Sequence, residues 1–208
     1  MQARPDLSPR AVRTRSALIA AGFDLLAARP IDAIPIDDVV ARAGVAKGSF
    51  FNHFADKQAF AAAIASEVRL EIEDQVSRAN AGVANPVERI TNGMRIGAAF
   101  AIHNPKRAAV LLRDPSAATA RSHPLNKGVA EDFDDAGRLG LISPDARGSG
   151  VLYWLGLCQV LMASLLDTPE ALPETRLRIR EMMILGLTGL GVDRDLGAEL
   201  ADRSCQNL

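Results

Sequence analysis

The sequence predicts an all-α fold, in which an N-terminal unit of three helices is followed by a larger C-terminal helical bundle. Apolar residues recur at helical spacing, as in the stripe Phe60, Ile64, Val68 and Ile72. No segment alternates apolar and polar residues over the length of a strand. The composition is dominated by Ala and Leu and contains only 4% aromatic residues, which favours helices over strands.

Length and charge limit the class of protein. The chain has 208 residues, of which 48% are hydrophobic, enough for one or two domains with a core. Its net charge of −1 does not by itself indicate a nucleic-acid partner, but residues 1–60 carry +2 and residues 61–208 carry −3. The excess comes from an N-terminal arm, which can follow phosphates or form a solvated tail. The basic residues of this arm are Arg4, Arg10, Arg13 and Arg15.

The cysteines and the first apolar run indicate a cytoplasmic protein. Cys158 and Cys205 lie far apart in different surroundings, so a disulfide framework is not expected and a reducing compartment fits. The apolar run Ala17–Leu26 resembles the core of a signal peptide in length, but Asp24 interrupts it. An amphipathic helix explains the run better.

The most informative segment is residues 36–57, which predicts two short helices joined by a tight turn. Gly44 is placed to end the first helix, because glycine enters a left-handed conformation without steric cost. In the second helix, residues 47–54, Phe50 and Phe54 lie four apart and can pack inward. This pattern is typical of a helix-turn-helix DNA reader, and the alternative is a helical hairpin with a solvated polar face.

The outward side of the second helix carries side chains suited to DNA. Lysine can bind phosphate or guanine, asparagine can pair with adenine, and an aromatic edge can contact a thymine methyl group. Asp56 is placed to cap the next helix, whose free N–H groups together with Lys57 can bind phosphate. The residues of this predicted surface are Lys47, Gly48, Ser49, Phe51, Asn52, His53 and Lys57.

The same segment follows a family pattern without a gap. The matching residues are Asp38-Val39-Val40, Ala43-Gly44-Val45-Ala46-Lys47-Gly48-Ser49-Phe50-Phe51, His53-Phe54, Lys57-Gln58 and Phe60. With them, the stretch from Thr14 to Phe60 resembles the DNA-binding domain of the TetR family of bacterial transcriptional repressors. The resemblance implies DNA contacts by Thr14 and by the second helix, with His53 and Lys57 on phosphates. Phe51 stands where the family usually has tyrosine, so a phenolic hydroxyl is missing.

The resemblance also divides the chain. It implies a DNA-binding domain at residues 1–57 and a regulatory, ligand-binding and dimerisation domain at residues 58–208, connected by a long helix from Asp56 to Arg78. A ligand cavity is expected inside the regulatory helices, and their low polar and aromatic content favours an apolar ligand. The candidate lining residues are Met94, Phe100, His103, Leu111, Phe133, Trp154, Cys158 and Met162.

Two C-terminal helices are expected to form a subunit interface. Residues 148–166 carry no charge and are long enough to span a membrane, but a helix buried between a core and a partner has the same composition. Residues 173–190 form a second helix, and the resemblance implies that both pair with their copies in a homodimer. The apolar stripe of the second helix is Ile179, Met183, Leu187 and Leu190. From Asp193 onward we expect a frayed polar tail.

Other chemistry is not indicated. His103 and His123, with Glu131 and Asp132, lack the spacing of metal ligands, and no nucleophile elbow is present, so we expect no metal, cofactor or catalytic site. The leading hypothesis is a cytoplasmic repressor that binds a pseudo-palindromic operator in double-stranded DNA and releases it when a small apolar ligand binds. The alternatives are a membrane-associated protein anchored by residues 148–166 and a helical-bundle enzyme.

Overall fold

The computed structural model describes residues 8–113, 121–167 and 171–206, and every regular element among them is helical. The predicted all-α fold is therefore confirmed, whereas Arg4 of the predicted arm lies outside the described residues. The α-helices are α1 (Pro9–Ala28), α2 (Ile36–Ala43), α3 (Lys47–Phe51), α4 (Lys57–Asn80), α5 (Pro86–His103), α6 (Pro105–Leu112), α7 (Lys127–Arg138), α8 (Pro144–Asp167), α9 (Leu172–Gly189) and α10 (Arg194–Gln206). Short 3-10 helices occupy Ile31–Ala33 and Pro124–Asn126.

The chain forms two compact units, Met1–Val68 and Arg69–Leu208. The boundary falls inside α4, so one continuous helix belongs to both units. The sequence-based division after residue 57 concerns the functions of the two domains, whereas the boundary at residue 68 concerns packing within the chain. The functional division stays a prediction.

The first unit begins with a helix where the sequence predicts an arm. Ser8 caps α1 by accepting a hydrogen bond from a backbone N–H three residues on, at 3.3 Å, and Pro9 suits the first turn because its φ is already helical. Arg10 and Arg13 are therefore exposed side chains on a helix, not members of an extended segment.

The helix-turn-helix forms where the sequence predicts it. Gly44 ends α2 with a left-handed φ of 66°, which confirms the expected role of this glycine. The second helix is shorter than predicted and ends at Phe51 instead of residue 54. The reason is a tighter final turn, in which the backbone N–H of His53 donates to the carbonyl of Phe50 at 3.0 Å.

An aromatic cluster of Phe50, Phe54 and Phe60 holds α3 in place. Ring centroids lie 5.1 Å apart between Phe50 and Phe60 and 4.8 Å apart between Phe54 and Phe60, in edge-to-face geometry. Phe60 packs against α1 at Gly22, where an added Cβ would lie 2.2 Å from the Phe60 Cζ atom. A five-residue helix has no stability alone, so these contacts determine its orientation.

The second unit is built around α5, which packs against α6, α7, α8, α9 and α10. Two glycines permit close approach of α8 and α9 within the chain, because Gly186 lies against Trp154 and Gly189 lies against Tyr153. The largest fully buried core side chains of this unit are Ile90, Met94, Phe133, Trp154, Leu161, Ile179 and Met183.

The apolar stripe of α9 faces this core and not a partner subunit. Leu187 has 0% exposed surface and packs against Gly197 of α10, so it is unavailable for the intersubunit contact that the sequence suggested. The exposed apolar side chains of these helices lie elsewhere, at Leu152 and Val160 of α8 and at Leu177 and Leu185 of α9.

The expected frayed C-terminus is wrong, because residues from Arg194 form α10. Asp193 caps this helix by accepting hydrogen bonds from the backbone N–H groups of Asp195 and Leu196 at 3.0 and 3.1 Å. Leu200 and Ala201 are buried against the rest of the unit. The sequence gives a weak signal for this helix because its apolar residues, two of which are leucines, are matched in number by charged ones.

We predict that Gly22→Ala destabilises the first unit by about 1–3 kcal/mol, because the added methyl group would overlap the Phe60 ring, which is itself fixed by two other aromatic rings. Urea unfolding followed by circular dichroism measures the change. Gly48→Ala is the matched control, since a Cβ at Gly48 meets nothing within 4 Å. Equal stability of the two variants would contradict this packing.

Candidate functional site

The outer surface of the α2–α3 turn gathers polar and aromatic side chains that the sequence singled out. Phe51 is 53% exposed, which is unusual for a large aromatic residue. Its ring lies outside because Phe50 and Phe54 already occupy the inner side. The exposed members of this surface are Lys47, Gly48, Phe51 and Asn52, and the half-buried members are Ser49 and His53.

Lys47 has a partner in this structure. Its Nζ lies 2.9 Å from the Oδ1 atom of Asp37 on α2, and both side chains are more than half exposed. An exposed ion pair contributes about 0–1 kcal/mol. A phosphate group could therefore replace Asp37 as the partner of Lys47 with little loss of free energy.

Lys57 is placed differently from its expected role. Its Nζ donates hydrogen bonds to the carbonyl oxygens of Asp32 and Ile34, each at 3.0 Å, and so ties the start of α4 to the segment before α2. The expected phosphate contact of this ammonium stays a prediction, and it would compete with both bonds. Asp56 caps α4 as expected, because its Oδ1 accepts from the Ala59 N–H at 2.7 Å. Thr14 is half-buried on α1.

A cavity of about 390 Å³ lies in the second unit, bordered by the C-terminal half of α4 and by α5, α6, α7 and α8. Its apolar wall includes Ile72 and Val76 of α4, Ile90 of α5, and the side chains of Leu155 and Met162 of α8. Glycines widen it, since a Cβ at Gly93 or Gly128 would meet nothing within 4 Å.

The cavity includes half of the eight lining residues predicted from the sequence. Leu111, Trp154, Cys158 and Met162 border it. The remaining four do not: Met94, Phe100 and Phe133 are buried side chains away from its wall, and His103 is exposed at the end of α5, with Nδ1 2.8 Å from the carbonyl oxygen of Ala99. Contact of any of the eight with a ligand stays a prediction.

The charged residues that border the cavity were not predicted from the sequence. Arg69 and Glu73 of α4 and Arg89 of α5 border it together with Asp132 of α7. Burial raises the pKa of Glu73 above its usual value, and the charge of Arg69 opposes this rise. One signal was present, since Arg69 and Glu73 each follow directly after a member of the apolar stripe on α4.

Arg89 joins α5 to α7. Its Nε donates to Asp132 Oδ1 at 2.5 Å and its Nη2 donates to Asp135 Oδ2 at 2.8 Å. Its Nη1 also donates to the carbonyls of Val83 and Ala84, each at 3.1 Å. The charge of this arginine is therefore satisfied within the chain.

Cys158 contributes apolar surface to the cavity. Burial raises the pKa of its thiol to about 12, so the sulfur stays protonated at neutral pH and is a poor nucleophile or metal ligand. Cys158 and Cys205 are both free. No group of three or more potential metal ligands occurs within residues 8–113, 121–167 and 171–206.

Helix α8 is long and apolar enough to cross a membrane by length and composition alone. Part of it lies inside the second unit, because Gly150, Val151, Trp154 and Leu161 are buried in the chain's own core. Such a helix also fits the core of a folded helical domain.

Comparisons with known proteins agree with this architecture. Residues 18–64 match the model of the tetR family of bacterial regulatory proteins. A search of curated proteins gives no significant match. Among solved structures, RolR in complex with resorcinol has a TM-score of 0.71 at 17% identity and covers 95% of this chain and 97% of its own.

Two further structures share the fold. A TetR-family transcription regulator from Shewanella sp. PV-4 has a TM-score of 0.74 at 15% identity, over 85% of this chain and 97% of its own. A gamma-butyrolactone receptor described as ArpA-like has a TM-score of 0.60 at 24% identity, over 96% of this chain and 100% of its own.

The family match covers the whole helix-turn-helix and the aromatic cluster that supports it, and the all-helical second unit also occurs in the structures compared. Residues 18–64 therefore carry the N-terminal domain of the tetR family of bacterial regulatory proteins, and the fold of the whole chain is the one seen in TetR-family regulators of known structure.

Proposed function

We propose that the protein is a homodimeric repressor that binds a pseudo-palindromic operator through α3 and releases it when a small, largely apolar ligand enters the cavity. The observation that carries the DNA-binding role is the outer surface of α3. Phe51 and Asn52 are exposed, and Phe51 touches the core only through the edge of the Phe50 ring, at 5.4 Å between centroids, while buried aromatic rings support the helix from its inner side.

This surface suits the major groove of DNA. Asn52 can pair with adenine, Phe51 can contact a thymine methyl group, and Lys47 can exchange Asp37 for phosphate or guanine. Gly48 presents no side chain that would keep the DNA backbone at a distance. In a two-fold dimer, half-site centres about 34–36 Å apart, or a multiple of this, are expected.

The dimer interface is proposed on α8 and α9, which pack against each other in the chain. Leu152 and Val160 of α8 and Leu177 and Leu185 of α9 are each more than half exposed. Exposed apolar side chains concentrated on two neighbouring helices are typical of a subunit interface. A membrane anchor would use the same side of α8, but it leaves the apolar side chains of α9 unexplained.

Ligand release is proposed through α4. Residues 69–80 of this helix border the cavity and residues 57–68 belong to the DNA-binding unit, so a ligand that changes the helix direction would change the spacing of the two α3 helices of a dimer. The ligand must bind the non-DNA conformation more tightly, since equal affinity shifts nothing. Small-molecule recognition in RolR bound to resorcinol and in a gamma-butyrolactone receptor supports this use of the fold.

Asn52→Ala is expected to change the DNA sequence that the protein prefers, because the amide is proposed to read a base edge. His53→Ala should instead weaken binding to all sequences and reduce its salt dependence, as the loss of a phosphate contact does. Binding-site selection from random DNA, repeated at two salt concentrations, separates these effects. An unchanged motif and affinity for the Asn52 variant would exclude its role in base reading.

Val160→Glu combined with Leu185→Glu is expected to yield a monomer that has lost most operator affinity, because two carboxylates would enter an apolar interface without partners. Analytical ultracentrifugation and DNA titration measure both properties. Leu139→Glu is the control, since Leu139 is equally exposed at 65% but lies outside α8 and α9. A wild-type protein that sediments as a monomer at micromolar concentration would refute the dimer.

Gly93→Leu is expected to abolish ligand response while operator affinity without ligand stays within about twofold, because the new side chain fills free space in the cavity. Gly93→Ala, which fills much less, should retain a response. Gly93 is a better position than Trp154, whose truncation would also remove packing against α9. Release of labelled operator by a panel of metabolites and drugs provides the measurement, and a full response of Gly93→Leu would rule out this cavity.

A further inference from the structure

Arg69 and Glu73 form an incompletely satisfied polar pair at the wall of the cavity. They lie one turn apart on α4, so their side chains project from the same side of the helix. Both are half-buried and both border the cavity, and their charges interact. Polar groups withdrawn from water in this way cost stability unless they are paired.

Each member of the pair retains hydrogen-bonding capacity. Arg69, which borders the cavity, donates from Nη2 to Oδ1 of Asn126, but no hydrogen bond joins its Nη1 to another residue within the described part of the chain. No side chain or backbone group of residues 8–113, 121–167 or 171–206 forms a hydrogen bond or an ion pair with the carboxylate of Glu73. A donor and an acceptor are thus available side by side.

The other charged residues that border the cavity are paired with each other or with neighbouring residues, so they add no unpaired charge. Arg89 is paired with Asp132 and Asp135, and Glu131 lies 3.7 Å from Lys127. The α8 residues of the wall carry no charge: Trp154, Leu155 and Met162 are apolar, Gln159 is a neutral amide, and the Cys158 thiol is protonated. The cavity therefore has a largely apolar wall with neutral polar groups at Ser77, Asn80 and Gln159, and its one charged donor–acceptor pair without other charged partners among the described residues, Arg69 and Glu73, has zero net charge.

A hydroxyl group is the simplest complement to that pair. It can accept a hydrogen bond from an arginine N–H and donate its own proton to a carboxylate, whereas a carboxylate ligand can only accept and would be repelled by Glu73. An ammonium ligand can only donate and would be repelled by Arg69. A hydrocarbon would leave both groups unpaired.

We propose that the effector of this cavity is a neutral molecule with an apolar body and a hydroxyl group, which accepts a hydrogen bond from Arg69 and donates one to Glu73. This inference rests on the proposed function in that it takes the cavity as the effector site, and it adds the chemical class of the effector. Selectivity then comes as much from the charged groups that the wrong ligand would meet as from the bonds that the right one forms.

Calorimetric titration of the full-length protein without DNA tests the class directly. Three matched sets of probes serve: 2-naphthol, 2-naphthoate and naphthalene; 4-phenylphenol, 4-phenylbenzoate and biphenyl; 2-decalol, decalin-2-carboxylate and decalin. In every set that binds, the hydroxyl compound should bind about tenfold or more tightly than the other two, as expected for hydrogen bonds to charged groups.

Two substitutions locate the effect. Glu73→Gln should weaken the hydroxyl compounds and strengthen the carboxylates, so that the preference between them falls about tenfold or reverses, because a like charge has been removed. Glu131→Gln is the matched control and should leave the preference unchanged, since Glu131 also borders the cavity but is exposed and has a partner in Lys127.

Tighter binding of a carboxylate or a hydrocarbon, an unchanged preference in Glu73→Gln, or no binding by any probe up to its solubility would each overturn the inference. Operator release is measured separately. A hydroxyl compound that binds with the expected preference but releases no operator would refute the proposed ligand release and leave the ligand class of the cavity intact. Release by a carboxylate or a hydrocarbon in preference to the hydroxyl compounds would refute the class alone.

Discussion

The packing of Phe60 between Gly22 and two other phenylalanine rings is the interaction on which the DNA-binding surface depends. Helix α3 has only five residues, too few to be stable by itself. The buried side chains of Phe50 in this helix and Phe54 just after it anchor its inner side to the core, which leaves its outer side free for DNA. A hydrogen side chain at position 22 brings the aromatic ring directly against the backbone of α1. Rigid support behind an exposed helix reduces the ordering cost of binding.

The sequence predicts those features that neighbouring residues determine. Gly44 predicts the turn between α2 and α3, and the spacing of Phe50 and Phe54 predicts which side of α3 is buried. The turn and the buried side therefore both follow from local rules. Tertiary contacts decide the rest: the ammonium of Lys57 binds carbonyls more than twenty residues earlier in the chain, which no local pattern reveals. In the same way, Leu187 sits in an apolar stripe that fits a partner or a core equally well, and only the packing of α10 decides between them.

The cavity shows why an apolar composition is a poor guide to an effector. Most of its wall is apolar, but the two groups able to discriminate between ligands are Arg69 and Glu73. Both lie on α4, where the sequence pattern indicates an apolar stripe and not a polar site. Half-buried polar groups without full partners do not stabilise a core. Their presence on the wall of a cavity in which Gly93 leaves space open is better explained by binding than by packing. Because α4 also starts in the DNA-binding unit, the ligand and operator can act on one helix.

The central claim, that operator and effector bind two conformations of one protein, has a thermodynamic consequence that can be measured directly. If the effector lowers operator affinity by some factor, the operator must lower effector affinity by the same factor. Titrating the effector into the free protein and into the operator complex, with Trp154 at the cavity wall as the fluorescent reporter, gives both affinities in one preparation. We expect the operator to lower effector affinity by a factor of about 5–150, the usual range of such coupling, and the effector to lower operator affinity by the same factor. Effector affinity unchanged by a saturating operator would contradict the claim.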